Sequence, residues 1–296
     1  MSVFLFPGQG SQQPGMGKDF FEQSAPAKAV LEEARSLSPA SLLETLADGD
    51  AAALTTTLIA QPALLIVETA IARHLASIGI HPSACAGHSL GEIPALVAAG
   101  ALTFADALRL VFERARLMTE NVPEGGMAAV LGLAPEQIEA VLPEGVQVAN
   151  YNGPAQTIIS GKSDPLEFAM VAIKEAGAKR VMPLKVSGPF HSECMRPAVA
   201  EYTKVLDTIP FTAPSARFVS SVSGQEESDP ARIRELLGQQ LVSPVRWTQV
   251  MATIGSVAAL EVGPGSVLSG LARRIEGAPE VASAANLADV AALQAE

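Results

Sequence analysis

The sequence predicts an α/β fold: a mainly parallel sheet covered by helices on both faces, with a small ferredoxin-like subdomain at 126–186 inserted into a larger domain made of 1–125 and 187–296. Three observations predict it. Short apolar runs alternate with helical stripes at both ends of the chain, as parallel strands joined by crossover helices require. Between those ends the segments follow the order β-α-β-β-α-β. The 296 residues are 48% hydrophobic and 17% charged, with a single Trp, which allows a sizeable core of packed helices over a sheet.

Met1–Phe6 is apolar, lacks a basic leader and runs into a glycine turn, so it reads as a first buried strand and not as a signal peptide. Residues 61–78 carry Leu64, Val67, Ile71, Leu75 and Ile78 at helical spacing, and Gly79 stops them. Ser83–Ala86 is a short strand. Ile93–Ala99 is the following helix, with Pro94 tolerated in its first turn. Residues 104–120 form a helix capped by Thr103 and ended by the Val122–Gly126 breaker cluster. The insert follows: strand Met127–Leu131, helix Pro135–Leu142, strands Val146–Asn150 and Thr157–Ser160 around an Asn152-Gly153-Pro154 turn, helix Leu166–Ala176 and strand Arg180–Leu184. The larger domain resumes with helix 196–207, strand 217–222, helices 229–241 and 247–256, strand 258–262 and helix 266–275, and the Ala-rich 286–296 reads as a loosely held helix.

Composition excludes several classes. A formal net charge of −11 argues against nucleic-acid binding, which needs a basic face. An acidic protein partner would need a local basic patch; Lys179, Arg180, Lys185, Arg246, Arg273 and Arg274 are the candidates. No apolar run reaches about 18 residues, so no membrane span is expected. Cys85 and Cys194 offer no disulfide framework, which makes a reduced, cytoplasmic setting the expectation. The four histidines at 74, 81, 88 and 191 show no metal-ligand spacing with the cysteines, so no metal is expected.

The chemistry centres on Gly87-His88-Ser89-Leu90-Gly91. This G-x-S-x-G pattern between a strand and a helix builds a sharp turn with the serine hydroxyl at its apex. Ser89 is the candidate nucleophile, and a serine hydroxyl needs a base. His88 is adjacent and should point away from Ser89. His74 lies on a helix and His81 beside Pro82, which leaves His191, in a turn-rich loop where the insert rejoins the larger domain. An oxyanion would rest on the Leu90 N–H at the helix start and on a second donor from the loop Phe6–Gln12. That loop is not a dinucleotide fingerprint, because Gln13 stands where a third Gly belongs, and no phosphate-binding G-x-x-x-x-G-K-[ST] occurs.

Four separated motifs, Pro7–Gln12, Gly87–Glu92, Gly188–His191 and Glu261–Gly265, occur in the order seen in malonyl-CoA:acyl carrier protein transacylases. The chain resembles that family from about residue 3 to 275, and it is similar to the acyltransferase domains of polyketide and animal fatty acid synthases. The resemblance implies a hydrolase-like core with a ferredoxin-like insert. It implies a Ser89–His191 dyad without a carboxylate third member, the histidine being oriented by a backbone carbonyl whose position matches Gln240. Backbone N–H groups of Gln9 and Leu90 would form the oxyanion hole. An arginine that grips the malonyl carboxylate falls at Arg114, with Arg116 as the rival. The planar fork of an arginine suits a carboxylate better than a lysine does.

The implied reaction carries malonyl from malonyl-CoA through a malonyl-serine ester to the phosphopantetheine thiol of acyl carrier protein, with no bound cofactor, for fatty acid synthesis. A discrete acyltransferase serving a polyketide assembly line shares the chemistry and differs in partner. A thioester hydrolase is disfavoured by Arg114. Three departures from the family pattern stand out: Ala115 for a Gly, and Ile93-Pro94 where an aromatic and a small residue are usual. Phe190 resembles the bulky residue of malonyl-selective members; rejecting one methyl group is worth only about 1–3 kcal/mol.

Overall fold

The computed structural model describes residues 2–120 and 122–294; Met1 of the first expected strand and Ala295 and Glu296 of the expected tail helix lie outside them. The strands are β1 (Ser2–Phe6), β2 (Pro82–Gly87), β3 (Gly125–Leu131), β4 (Val146–Gly153), β5 (Gln156–Lys162), β6 (Arg180–Pro183), β7 (Arg217–Val219), β8 (Ala259–Glu261) and β9 (Val281–Ser283). They form a five-stranded sheet in the order β7-β2-β1-β8-β9 and a four-stranded sheet in the order β4-β5-β3-β6.

Every pairing in the larger sheet is parallel. Both its faces are buried, which is why its strands read as continuous apolar runs. Along β1, Val3 and Leu5 face a core with Ala84, Ala86, Trp247, Val250 and Leu268. Phe4 and Phe6 face the opposite core, built on helix Thr57–Ser77, helix Glu92–Ala98 and helix Phe104–Leu117. Helix Thr57–Ser77 begins a turn earlier than the apolar stripe suggests and carries Pro62 inside it. It is long and apolar enough to cross a membrane, yet 78% of its most apolar window is buried inside the protein. It is the central core helix, and each fully buried Leu or Ile on it contributes about 1.5–3 kcal/mol.

The smaller sheet is antiparallel, and its strand order is that of a ferredoxin-like motif. One face packs under helix Ser163–Glu175 through Ala128, Val130, Ile159, Leu166 and Ile173. On the other face Met127, Ala129, Ala149 and Ile158 join the large core. The edge strand β4 is tied to the segment before Trp247, where Tyr151 N–H donates to Val245 O at 2.9 Å and Val245 N–H to Ala149 O at 2.8 Å.

Several expectations shift, among them the strand expected at 217–222, which ends at Val219, and the helix expected at Pro135–Leu142, which ends at Glu139. Asn152 and Gly153 are not a turn: β4 runs on through Gly153, and the chain reverses only at Pro154-Ala155. The helix expected at 229–241 stops at Gln239, leaving Gln240 as its C-cap. Strand β9, absent from the sequence reading, pairs parallel with β8 at the sheet edge.

Candidate active site

β2 ends at Gly87, a single 3₁₀ turn spans Ser89–Gly91, and helix Glu92–Ala98 follows with Pro94 in its first turn. Ser89 takes φ 54°, a left-handed backbone that a non-glycine residue adopts only under constraint. The flanking glycines supply that constraint. A Cβ on Gly87 would lie 2.0 Å from the Gly91 carbonyl carbon, and one on Gly91 would lie 2.1 Å from Phe6 O. The turn therefore folds onto itself and onto the end of β1, and His88 N–H seals the contact by donating to Phe6 O at 2.9 Å.

The second strained residue is His191, at φ 56°; among the described residues these are the two non-glycine positions with positive φ. They meet. Ser89 Oγ lies 2.7 Å from His191 Nε2. On the far side of the ring, Nδ1 lies 3.0 Å from Gln240 O and 3.1 Å from Ser243 O. Carbonyls only accept, so Nδ1 carries the hydrogen and Nε2 is left free to take one from the serine. Gln240 can serve because it caps helix Pro230–Gln239, where carbonyls lack intrahelical partners. The imidazole is buried, and its pKa is pushed down to about 3, by burial first and then by the charges of Arg114 and His88.

Arg114 projects from helix Phe104–Leu117 and is 1% exposed. Its Nη2 lies 3.2 Å from Ser89 Oγ. Nε and Nη2 donate to Gln240 Oε1 at 3.1 and 2.8 Å, and Nη1 donates to Gln61 Oε1 at 2.8 Å. The guanidinium is thus cradled by two neutral amide oxygens, and burial lowers its pKa. Among the described residues none of the ion pairs includes it. A buried cation without an anion, beside an activated hydroxyl, can receive an acyl group that carries its own carboxylate. The rival Arg116 is a surface residue bonded to Glu113, Glu120 and Glu201.

The loop after β1 is tied to the site through Gln61, which also holds Arg114. Gln9 Nε2 donates to Thr57 Oγ1 at 3.0 Å, Thr57 Oγ1 is 3.0 Å from Ser187 Oγ on the His191 loop, and Gln61 Nε2 donates to Gln9 Oε1 at 3.3 Å. The Gln9 side chain is therefore engaged away from its own backbone. Leu90 sits within the 3₁₀ turn, where early N–H groups lack helical partners. Phe190 is buried in the large core, and a Cβ on Gly188 would lie 3.2 Å from its ring. His88 turns away from Ser89: Nε2 is 2.8 Å from Asn152 Oδ1 and the ring packs 5.5 Å from Trp247. His74 pairs with Ser24 Oγ and His81 is exposed. Lys179, Arg180, Lys185, Arg273 and Arg274 are exposed and Arg246 is half-buried.

Four participants escaped the sequence reading: Gln61, Glu92, Ser221 and Ser243. Buried Glu92 accepts from Ser221 N–H at 3.1 Å, Ser221 Oγ at 2.8 Å and Gln240 Nε2 at 2.6 Å. Burial raises its pKa, and those bonds offset part of the rise. Gln61 and Glu92 did leave a trace in sequence, as polar residues inside otherwise apolar helical runs.

A family model described as acyl transferase domain matches residues 3–291. The malonyl CoA-acyl carrier protein transacylase of Bacillus subtilis (strain 168) is 45% identical over 284 residues, covering 92% of this chain and 90% of that one. The crystal structure of an acyl carrier protein S-malonyltransferase from Vibrio cholerae superposes with a TM-score of 0.93 at 41% identity, covering 98% of this chain and 99% of that one. A malonyl-transacylase in complex with its type II PKS acyl-carrier protein gives a TM-score of 0.93 at 38% identity, covering 99% of each chain.

Proposed function

This chain belongs to the acyl transferase domain family, and from that premise we propose how its residues carry the reaction. It is an acyltransferase that moves a malonyl group from malonyl-CoA to acyl carrier protein in fatty acid synthesis. The observation that carries the assignment of roles is the convergence of His191 Nε2 and Arg114 Nη2 on Ser89 Oγ, at 2.7 and 3.2 Å.

In this reading Ser89 is the nucleophile and His191 the general base. Nε2 takes the hydroxyl proton as Oγ attacks the thioester carbonyl of malonyl-CoA. The oxyanion rests on the backbone N–H groups of Gln9 and Leu90. The C–S bond breaks, Nε2 returns the proton to the departing CoA sulfur, and malonyl remains as an ester on Ser89. The phosphopantetheine thiol of the carrier protein then gives its proton to Nε2 and attacks the ester, and Ser89 leaves with that proton. Gln240 O and Ser243 O hold the ring and its tautomer throughout. Arg114 grips the malonyl carboxylate in place of bulk water, and Phe190 walls the site beside the base.

No step in this scheme draws on a bound cofactor; malonyl-CoA is a substrate. The site falls where the subdomain 126–186 joins the larger domain of 1–125 and 187–296. Lys179 and Arg180, exposed on that subdomain, supply positive charge for an acidic carrier protein. We place the enzyme in the cytoplasm, with its CoA and carrier-protein substrates. Service to a polyketide carrier is the second reading, favoured by the likeness to the type II PKS complex. A panel of fatty-acid and polyketide carrier proteins separates the two.

Intact-mass measurement after mixing with malonyl-CoA tests the assignment. A malonyl adduct is expected on the native chain and not on Ser89→Ala. An adduct that persists in Ser89→Ala moves the nucleophile elsewhere.

A further inference from the structure

The Gln240 side chain sits between a carboxylate and a guanidinium, and the two demand opposite ends of its amide. Its Nε2 faces two groups that can only accept here, Glu92 Oε2 at 2.6 Å and Ser89 O at 3.0 Å. Its Oε1 faces two donors, Arg114 Nε at 3.1 Å and Nη2 at 2.8 Å. Carboxylate and carbonyl oxygens take only the NH₂ end, and guanidinium N–H groups take only the oxygen. The orientation is therefore fixed by the chemistry of its four neighbours. Glu92 is itself held from behind by the Ser221 N–H and Oγ.

We propose that Glu92 is a positioning residue for the substrate clamp: by locking the Gln240 amide it presents a neutral oxygen to Arg114 and holds the guanidinium beside Ser89 with its charge unspent. The inference rests on the reading of Arg114 as the grip on the malonyl carboxylate. The alternatives to this arrangement are each worse for that task. A carboxylate in direct contact with Arg114 would neutralise it and compete with the substrate. An amide free to rotate would turn its NH₂ toward the guanidinium part of the time, and donor would face donor. Placing the acid one side chain away avoids both. Glu92 belongs to the first turn of the helix that follows the nucleophile, so the same short segment that raises Ser89 also sets the clamp.

The test compares transfer from malonyl-CoA with transfer from acetyl-CoA, which lacks the carboxylate, in Glu92→Ala, Glu92→Gln and Arg114→Ala. A hydrogen bond to a charged group governs about a tenfold change, so the malonyl-to-acetyl ratio of kcat/KM is expected to fall about tenfold in Glu92→Ala. Glu92→Gln keeps the shape and can still offer an oxygen to Gln240 Nε2, but its NH₂ then meets the Ser221 N–H; it is expected to recover part of the ratio. The malonyl loss should appear mainly in KM, and acetyl transfer should fall by a clearly smaller factor. A merely structural role would lower both substrates together and leave the ratio alone. If the ratio stays fixed in both Glu92 variants while Arg114→Ala still collapses it, Glu92 does not position the clamp and the reading of Arg114 survives. If Arg114→Ala leaves the ratio unchanged, the clamp reading fails and this inference fails with it. Glu92→Gln, being isosteric, keeps the question answerable should Glu92→Ala fold poorly.

Discussion

Arg114 and His191 converge on one oxygen, with Ser89 Oγ 3.2 Å from the guanidinium Nη2 and 2.7 Å from the imidazole Nε2. A fixed positive charge that close opposes protonation of the ring, and burial opposes it more strongly; together with His88 they push the His191 pKa from 6.5 down to about 3. The imidazole is thus neutral near pH 7.

A pH profile follows from that pair. Removing the charge in Arg114→Ala raises the His191 pKa toward its ordinary value, so the acid limb of kcat/KM, measured with acetyl-CoA, moves to higher pH. An acid limb that stays in place would separate the guanidinium from the imidazole electrostatically. The stability sign is equally definite. Between about 3 and 6.5 the unfolded chain binds a proton at this residue and the native chain does not, so stability falls as pH drops through that window. His191→Gln should remove up to about 1.4 kcal/mol per pH unit of that slope, read from urea midpoints.

The strained backbone at Ser89 makes a second prediction. Both Ser89→Ala and Ser89→Gly remove the hydroxyl, but only glycine is at ease at φ 54°. Ser89→Gly is expected to be about 1 kcal/mol more stable than Ser89→Ala, a difference of about 2 °C in Tm for a chain of this size. Equal melting temperatures would mean that the elbow stores no strain.

How much of this was open to the sequence depends on range. β1 and β2 were legible because a strand buried on both faces must be apolar throughout; β9 was not, since its three residues at the edge are only half-buried. Ser89 was legible because its signal is local, a strand, a motif and a helix in succession. His191 emerged by exclusion among four histidines. Gln61 and Glu92 did not emerge, because their meaning lies in which end of a distant amide faces Arg114, across 53 positions to Gln61 and 126 to Gln240. Asn152 looked like a turn residue beside Gly153-Pro154. The fold keeps it in β4, where its side chain bonds His88.

Gly91 separates close approach from backbone freedom. Its φ is −57°, which alanine accepts, yet a Cβ there would lie 2.1 Å from Phe6 O and 2.6 Å from Pro7 O. Gly91→Ala should push the elbow off β1, costing at least about 1–3 kcal/mol and most of the activity. Gly270→Ala is the control: a Cβ there meets nothing within 4 Å, and the residue lies within helix Val267–Ala272. That change should raise stability by about 0.5–1 kcal/mol and leave transfer intact. Thermal melts and single-point activities on the two variants decide the matter.

Gln240→Glu tests the neutral cradle most directly, because it changes charge and almost nothing in shape. The new carboxyl would stand 2.6 Å from the Glu92 oxygen, too close for both to stay ionised. The one against Arg114 keeps its charge, and Glu92 takes the proton and donates it back across that contact. Arg114 then has a buried carboxylate partner and no net attraction left for substrate. Malonyl transfer should fall by about tenfold or more through KM, since the lost interaction is a charge-assisted bond. Acetyl transfer should suffer less, because the main-chain carbonyl that holds His191 Nδ1 is untouched by the substitution. Malonyl kinetics that match the unaltered enzyme would show that the clamp does not depend on the neutrality of residue 240.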